Sequence, residues 1–224
     1  MHELDSVLTT ILHRLGLNLP DYIAMLLLVM VATLVVFWLG TRRLSVNKPG
    51  IFQQVLELFT DTVGKFLDDI IGHGGRRFMA PIGTFAVLIL LSNLLGLIPG
   101  FMPPTGNIIV TASLALCSFV VYNFYGIRAQ GVGYIKHFLG PVAVLAPLFF
   151  PIEIISHLAR PLSLSIRLFG NIFGDHQVSG VFIHLVPFLV PIPFILLGLL
   201  VAVIQTLVFC LLSMIYIAEA VEHH

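Results

Sequence analysis

Charge is what this sequence lacks most: only 10% of its 224 residues are Asp, Glu, Lys or Arg, against about 25% in an ordinary soluble domain. Eleven basic side chains balance eleven acidic ones. No concentrated basic face is therefore available to hold phosphates, which excludes nucleic acid as a partner. Cysteine is nearly absent. Cys117 and Cys210 lie deep in apolar stretches without CxxC spacing, which excludes a disulfide framework and a cysteine metal site. A phosphate-binding GxxxxGK[ST] loop is missing, so any nucleotide chemistry belongs to a partner and no cofactor is expected. The chain opens with Glu3 and Asp5 where a signal peptide would need a basic region, and the N-terminus is expected to be retained. What is abundant is apolar surface. Hydrophobic residues make up 58% of the chain, with 18 Phe and a mean hydropathy of +1.05, so most of the chain is expected to face lipid.

The apolar runs predict where the chain crosses. Tyr22 to Gly40 is the first span, and Arg42, Arg43 and Lys48 after it place its far end in the cytoplasm by the positive-inside bias. Residues 51–70 read differently. Ile51, Val55, Phe59, Val63 and Phe66 recur at helical spacing, with Glu57, Asp61, Lys65 and Asp68 on the other face, which predicts an amphipathic surface helix on the cytoplasmic side. Two uncharged runs, Phe78–Ile98 and Ile108–Ile127, are each long enough to cross about 30 Å of hydrocarbon. An uncharged Pro/Gly-rich link joins them into an antiparallel pair, and Arg128 and Lys136 mark the return to the cytoplasm.

Residues 138–218 carry only four formal charges, Glu153, Arg160, Arg167 and Asp175, besides His157, His176 and His184. Pro141, Pro147 and Pro151 are expected to interrupt the start of this region, and Pro187, Pro191 and Pro193 its middle. Two antiparallel helices result, from about Leu148 to Val186 and from Phe194 to Ala218. The first would be roughly 58 Å long, so it must tilt, kink at Pro161 or run partly along the surface. The expected fold is an all-α polytopic membrane protein, one domain over 1–224. It has an extracytoplasmic segment at 1–20, about five crossings, the surface helix at 51–70 and a long hairpin at 138–218. The N-terminus lies outside and the C-terminus in the cytoplasm.

Within the long helix, Glu153, His157, Arg160, Leu164, Arg167 and Asn171 fall close to one line at 100° per residue. Ionised groups at mid-membrane cost about 2.5–3.5 kcal/mol each on insertion scales, so such a stripe should face protein or water and marks an ion or substrate pathway. Arg160 has a structural reading as a snorkelling side chain or a partner of Glu153. Arg167 has no acidic neighbour in Leu-Ser-Ile-Arg-Leu-Phe-Gly-Asn, and the missing carboxylate is expected on another chain. A guanidinium does not relay protons, so its effect must be electrostatic. His176, with Asp175 beside it, is a proton-handling candidate nearer the outer surface. Gln205, mid-span in the last helix, needs a hydrogen-bond partner such as Asn171. His184, Ser92 and Asn93 read as packing residues.

Pro161-Leu-Ser-Leu-Ser-Ile-Arg167-Leu-Phe-Gly-Asn171 resembles the signature around the essential arginine of the a subunit of the F-type ATP synthase membrane sector. Pro104-Thr-Gly-Asn-Ile-Ile-Val-Thr111 is similar to that family's loop before the third span, and the resemblance extends from about Pro20 to Ala220, including KPGIFQQVLEL at 48–58. It implies a stator against a rotating ring of c subunits, each with one membrane carboxylate. Two offset half-channels would carry protons to and from the ring, and the peripheral-stalk b subunits and the catalytic head complete the complex. By resemblance Arg167 is the arginine between the half-channels, Asn171 and Gln205 match neighbouring family positions, Glu153 matches a cytoplasmic-side carboxylate, and His176 the outer half-channel. One position departs from the pattern: the family often carries a carboxylate seven residues before the glutamine, where this chain has Gly198. Asp175 is the candidate substitute.

The expected role is therefore a non-catalytic proton-conducting subunit in a bacterial inner membrane. A stand-alone transporter binding an anionic substrate at Arg167 is the competing reading, although no internal repeat of the transporter kind is visible. A structural scaffold held together by the polar stripe is the third.

Overall fold

The computed structural model describes residues 20–42, 49–72, 74–98, 102–131, 134, 146–185 and 191–221. The segments 1–19, 135–145 and 186–190, and the side chain of His184, lie outside that set, so the expectations placed on them are untouched. Among the described residues every regular element is helical: α1 (Asp21–Arg42), α2 (Ile51–Ile71), α3 (Met79–Leu95), α4 (Ile108–Gln130), α5 (Ala146–Leu185) and α6 (Pro191–Val221). Short 3₁₀ turns at Gly75–Phe78 and Pro104–Gly106 lead into α3 and α4. The protein is an all-α polytopic membrane protein. Among the described residues four helical stretches, Asp21–Gly40, Gly75–Leu95, Ile108–Gln130 and Ile195–Val221, are long and apolar enough to cross a bilayer.

The ends of these helices are marked chemically. Asp21 in the first turn of α1 and Arg42 in its last complement the helix dipole, and the Arg42 guanidinium lies 3.4 Å over the Trp38 ring, an interfacial pairing. Asn107 caps α4 by accepting a hydrogen bond from the Ile109 amide at 2.9 Å. The long helix α5 runs 40 residues, about 60 Å, and contains both Pro151 and Pro161. The expected interruption at Pro151 is thus absent, and Pro191 and Pro193 lie in the first turn of α6 rather than before it. Both corrections have one cause. A proline is readily accommodated near a helix start, and in membrane proteins neighbouring groups satisfy the carbonyl that a mid-helix proline leaves free.

Contacts fix the arrangement of the bundle. The α5–α6 pair is antiparallel, since Arg160 meets Glu219 and Asn171 meets Gln205. Helix α4 runs antiparallel to α5, joined by Thr111 to Ser165 at 3.3 Å and Asn123 to His157 at 3.0 Å. It also lies along α6, where Ser118 and Ser213 hydroxyls share a buried bond of 2.9 Å. These small hydroxyl residues let helix axes approach closely, which is how helices associate in lipid without a hydrophobic drive. Two apolar clusters fill the interior. One gathers Leu67, Phe78, Ile82, Tyr122, Met214 and Ile217 from α2, the turn before α3, α3, α4 and α6, and the other Ile89, Ala115, Leu164, Leu168, Ile172 and Phe209 from α3 to α6.

Helix α2 is amphipathic, but only half of it behaves as a surface helix. Val63, Gly64 and Leu67 in its second half are buried in the bundle, while Ile51, Val55 and Leu58 in its first half are exposed. Its polar face is laced by Lys65–Asp61 at 2.7 Å and Arg76–Asp68 at 2.8 Å. Lys65 beside it holds the Asp61 carboxyl below the usual carboxylate range.

Candidate functional site

The polar stripe of α5 is divided by the fold into three parts with different partners. At the Glu153 end, His157 Nε2 lies 3.0 Å from Asn123 Oδ1, which also accepts from the Tyr134 hydroxyl at 2.8 Å. The Asn123 Nδ2 group is turned to the Phe119 carbonyl, so Oδ1 receives both bonds and His157 carries its proton on Nε2. The rings of Phe119 and Tyr122 meet the imidazole edge-to-face at 5.0 and 5.4 Å. One turn on, Arg160 donates to Glu219 of α6 at 2.7 Å and lies 5.1 Å from the Tyr216 ring centroid. Its expected carboxylate partner, Glu153, is replaced by Glu219, because α6 brings an acid to the Arg160 level from across the hairpin. Glu153 itself lies half-buried on the first turns of α5.

The middle of the stripe is open. Leu164 and Ser165 are buried, whereas Ile166 and Arg167 are exposed, and Arg167 forms no ion pair or side-chain hydrogen bond among the described residues. Around its level the hairpin exposes Leu162, Ile166 and Phe173 from α5 and Leu200, Val203 and Leu207 from α6. A side chain placed at Gly170 would meet nothing within 4 Å. Arg167 is therefore a fixed cation on an exposed apolar surface, an expensive arrangement unless something of opposite charge meets it there.

One turn further, Asn171 Nδ2 donates to Gln205 Oε1 at 2.6 Å, tying α5 to α6. Gln205 is only 3% exposed, and its amide nitrogen has no partner among the described residues. It borders a cleft of ≈ 370 Å³ between the two helices, lined also by Gly174, Asp175, Val178 and Leu197. Beside this cleft the Asp175 carboxylate lies against Gly198 of α6. A Cβ at Gly198 would sit 2.9 Å from Asp175 Oδ2 and 2.6 Å from Leu97 Cδ2, so glycine leaves the space that the carboxylate occupies. A second, much smaller cavity adjoins Asp175, His176, Gly198 and Asn93.

Every residue expected on the proton path is described, and the fold groups the stripe as Glu153, His157 and Arg160 at one end, Arg167 alone, and Asn171, Gln205, Asp175 and His176 at the other. Three partners were not foreseen: Glu219, Asn123 and Asn93. Glu219 carried a signal, being an acid at the end of an otherwise uncharged helix. Among the described residues no three His, Cys, Asp or Glu side chains gather as a metal cluster.

The family model described as ATP synthase A chain matches residues 23–218. The chain is 52% identical over 201 residues to ATP synthase subunit a 1 of Syntrophotalea carbinolica, covering 90% of this chain and 83% of that one. It is 44% identical over 215 residues to ATP synthase subunit a of Citrifermentans bemidjiense, covering 95% and 93%, and 46% identical over 202 residues to that of Geotalea uraniireducens, covering 90% and 88%.

Proposed function

The chain belongs to the ATP synthase A chain family, and from that premise we propose that it is the stator of the membrane motor, passing protons to and from a ring of c subunits through two offset half-channels separated by Arg167. It is a membrane subunit of the complex and not itself the catalyst. The observation that carries the proposal is the exposed, unpaired Arg167 on an apolar hairpin surface, which lacks only the carboxylate that each ring subunit would bring.

The chemistry follows from position. A guanidinium is no acid–base catalyst, so Arg167 neither accepts nor relays the proton. A ring carboxylate passing it is held in its ionised form, because a fixed cation at short range in a low dielectric favours the charged state. A protonated carboxyl arriving there gives up its proton to the adjacent path, and a free cation attempting to leak through is repelled. Asp175 lies eight residues along α5, about 12 Å, and Glu153 fourteen residues the other way, about 21 Å, so the two candidate paths approach Arg167 from opposite sides of the membrane. On the outer side the Asn171–Asp175 cleft admits water, and Asp175 with His176 hands on the proton. On the inner side Glu153 and His157 do so. The bond between Asn171 and Gln205 holds the hairpin closed next to the arginine.

In this reading the protein sits in a bacterial plasma membrane with its N-terminus outside and its C-terminus in the cytoplasm, and α2 with the cytoplasmic loops meets the peripheral-stalk b subunits. The test is ATP-driven proton uptake by inverted vesicles carrying the complex, comparing wild type with Arg167→Ala at matched assembly and matched ATPase content. Loss of uptake with assembly intact is expected. Uptake near the wild-type level would reject the gate, and loss of the assembled complex would mean that Arg167 is a scaffold residue.

A further inference from the structure

The small cavity behind Asp175 has a feature that neither half-channel accounts for. Asn93 of α3 is 3% exposed, and its Oδ1 accepts a hydrogen bond from the Thr105 hydroxyl at 2.8 Å. Thr105 is fully buried. With the Thr105 hydroxyl donating to Oδ1, the Asn93 NH₂ points away from Thr105. That nitrogen has no partner among the described residues. Buried amide donors are rarely left unmade, and one that is calls for an explanation.

The neighbourhood supplies it. Asn93 borders a cavity of ≈ 10 Å³ for the centre of a water molecule, walled also by Asp175, His176 and Gly198. That is about the room of one water, in a site with polar partners on more than one side. The titratable groups facing it are Asp175 and His176, both from α5; α3, α6 and the 103–107 loop contribute none among its described lining residues. The loop is built to hold the amide in place. A Cβ at Gly96 would lie 2.7 Å from Pro103 Cβ, so glycine at the end of α3 lets the Pro103 ring close down and seats Thr105 on Asn93. The Pro104-Thr-Gly-Asn motif thus spends its threonine on Asn93 and its asparagine on capping α4.

We propose that Asn93 is a positioning residue of the outer proton path, its Nδ2 group donating through a single water to the Asp175 carboxylate and Thr105 fixing it in that orientation. The inference rests on the reading of Asp175 as the outer relay. Asn93 does not itself take or give a proton. It orients the water and the carboxylate that do, and so acts through Asp175.

The experiment is ATP-driven proton uptake by inverted vesicles of the assembled complex, at matched subunit content, with Asn93→Asp, Asp175→Asn and the two combined. Each single variant is expected to lose uptake about tenfold or more, a change read directly from the rate ratio. Asn93→Asp sets two carboxylates across one water, and Asp175→Asn removes the only one. The double variant exchanges amide and carboxylate across the cavity and is expected to recover several-fold over either single. A merely structural Asn93 predicts no such recovery, so an assembled double variant no better than the singles overturns the proposal. Thr105→Val keeps the shape of the loop and releases the amide; uptake is expected to fall several-fold, and wild-type uptake overturns the proposal even where Asn93→Asp does not assemble. Wild-type uptake by Asp175→Asn alone rejects the relay reading itself. Impaired Asp175→Asn beside a fully active Asn93→Leu rejects only the role given to Asn93.

Discussion

At the scale of single residues, the Asp175 end of the hairpin is governed by who occupies one small space. Asp175 Oδ2 lies only 2.9 Å from where the first atom of any side chain at position 198 would be, and Leu97 Cδ2 crowds the same point at 2.6 Å. Gly198→Ala is therefore expected to displace the carboxylate rather than to unfold the helix, since a single added methyl group in a packed site shifts its neighbours at a cost of about 1–3 kcal/mol. Proton uptake should fall severalfold while the amount of chain in the membrane, read by immunoblot, stays near wild type. Unchanged uptake would show that Asp175 has room to move without consequence. The Asn171–Gln205 bond is the second such point. Gln205→Leu removes a buried amide with one unmade bond but strands the Asn171 amide in the cleft, where water reaches it, so the expected loss of stability is at most about 1 kcal/mol. A large loss of uptake without loss of assembly would then belong to the path and not to the fold.

At the scale of elements, what was legible in the sequence depended on whether the signal was local. The spans were legible because about 20 consecutive apolar residues have one use in a chain of this composition. Helix α2 was legible from its periodicity, and the predicted 51–70 matches Ile51–Ile71 closely. That only its second half is buried was not, since burial of Leu67 depends on Phe78 and Ile82 arriving from the turn before α3 and from α3 itself. Leu67→Ala is expected to cost about 2–5 kcal/mol and to lower the level of assembled complex, whereas Ile51→Ala, exposed in this chain, should leave the subunit's own fold within about 0.5 kcal/mol of wild type. Limited proteolysis of vesicles measures both. Helix α5 was half legible. Its length was read correctly, but Pro151 was taken as a breaker, a rule from soluble proteins that packed membrane helices relax. The partner of Arg160 was hidden for a different reason. Glu153 is seven residues away in sequence, Glu219 fifty-nine, and only the antiparallel closure of the hairpin brings the second within 2.7 Å. A double-mutant cycle of Arg160→Met and Glu219→Gln, read by heat dissociation of the complex, should give a coupling of roughly 1–2 kcal/mol, between the values for exposed and for buried pairs. Zero coupling would mean that the cation's contact with Tyr216 holds the helices instead.

At the scale of the whole molecule, the decisive question is what meets the outer surface of the α5–α6 hairpin. Most of the hairpin's exposed side chains are apolar, which suits lipid as well as protein, but lipid offers nothing to Arg167. A stand-alone transporter would turn its arginine inward to a substrate cavity, whereas here the arginine and its glycine neighbours face outward. Gly170 is the position that separates the two cases. A side chain there would touch no atom of this chain, so Gly170→Leu should fold and insert normally and even favour the helix, since glycine is the poorer helix former by about 1 kcal/mol. If a ring packs against this surface, the added leucine stands in its way. ATP-driven proton uptake should drop about tenfold, the equivalent of roughly 1.4 kcal/mol on the rate-limiting step, with the chain still present at wild-type level. If the surface faces only lipid, uptake should not change, because a leucine dissolves in hydrocarbon as readily as its neighbours do. The one substitution thus reads the presence of a partner on a face where this chain provides none, and it does so without touching the charge that the partner would come to meet.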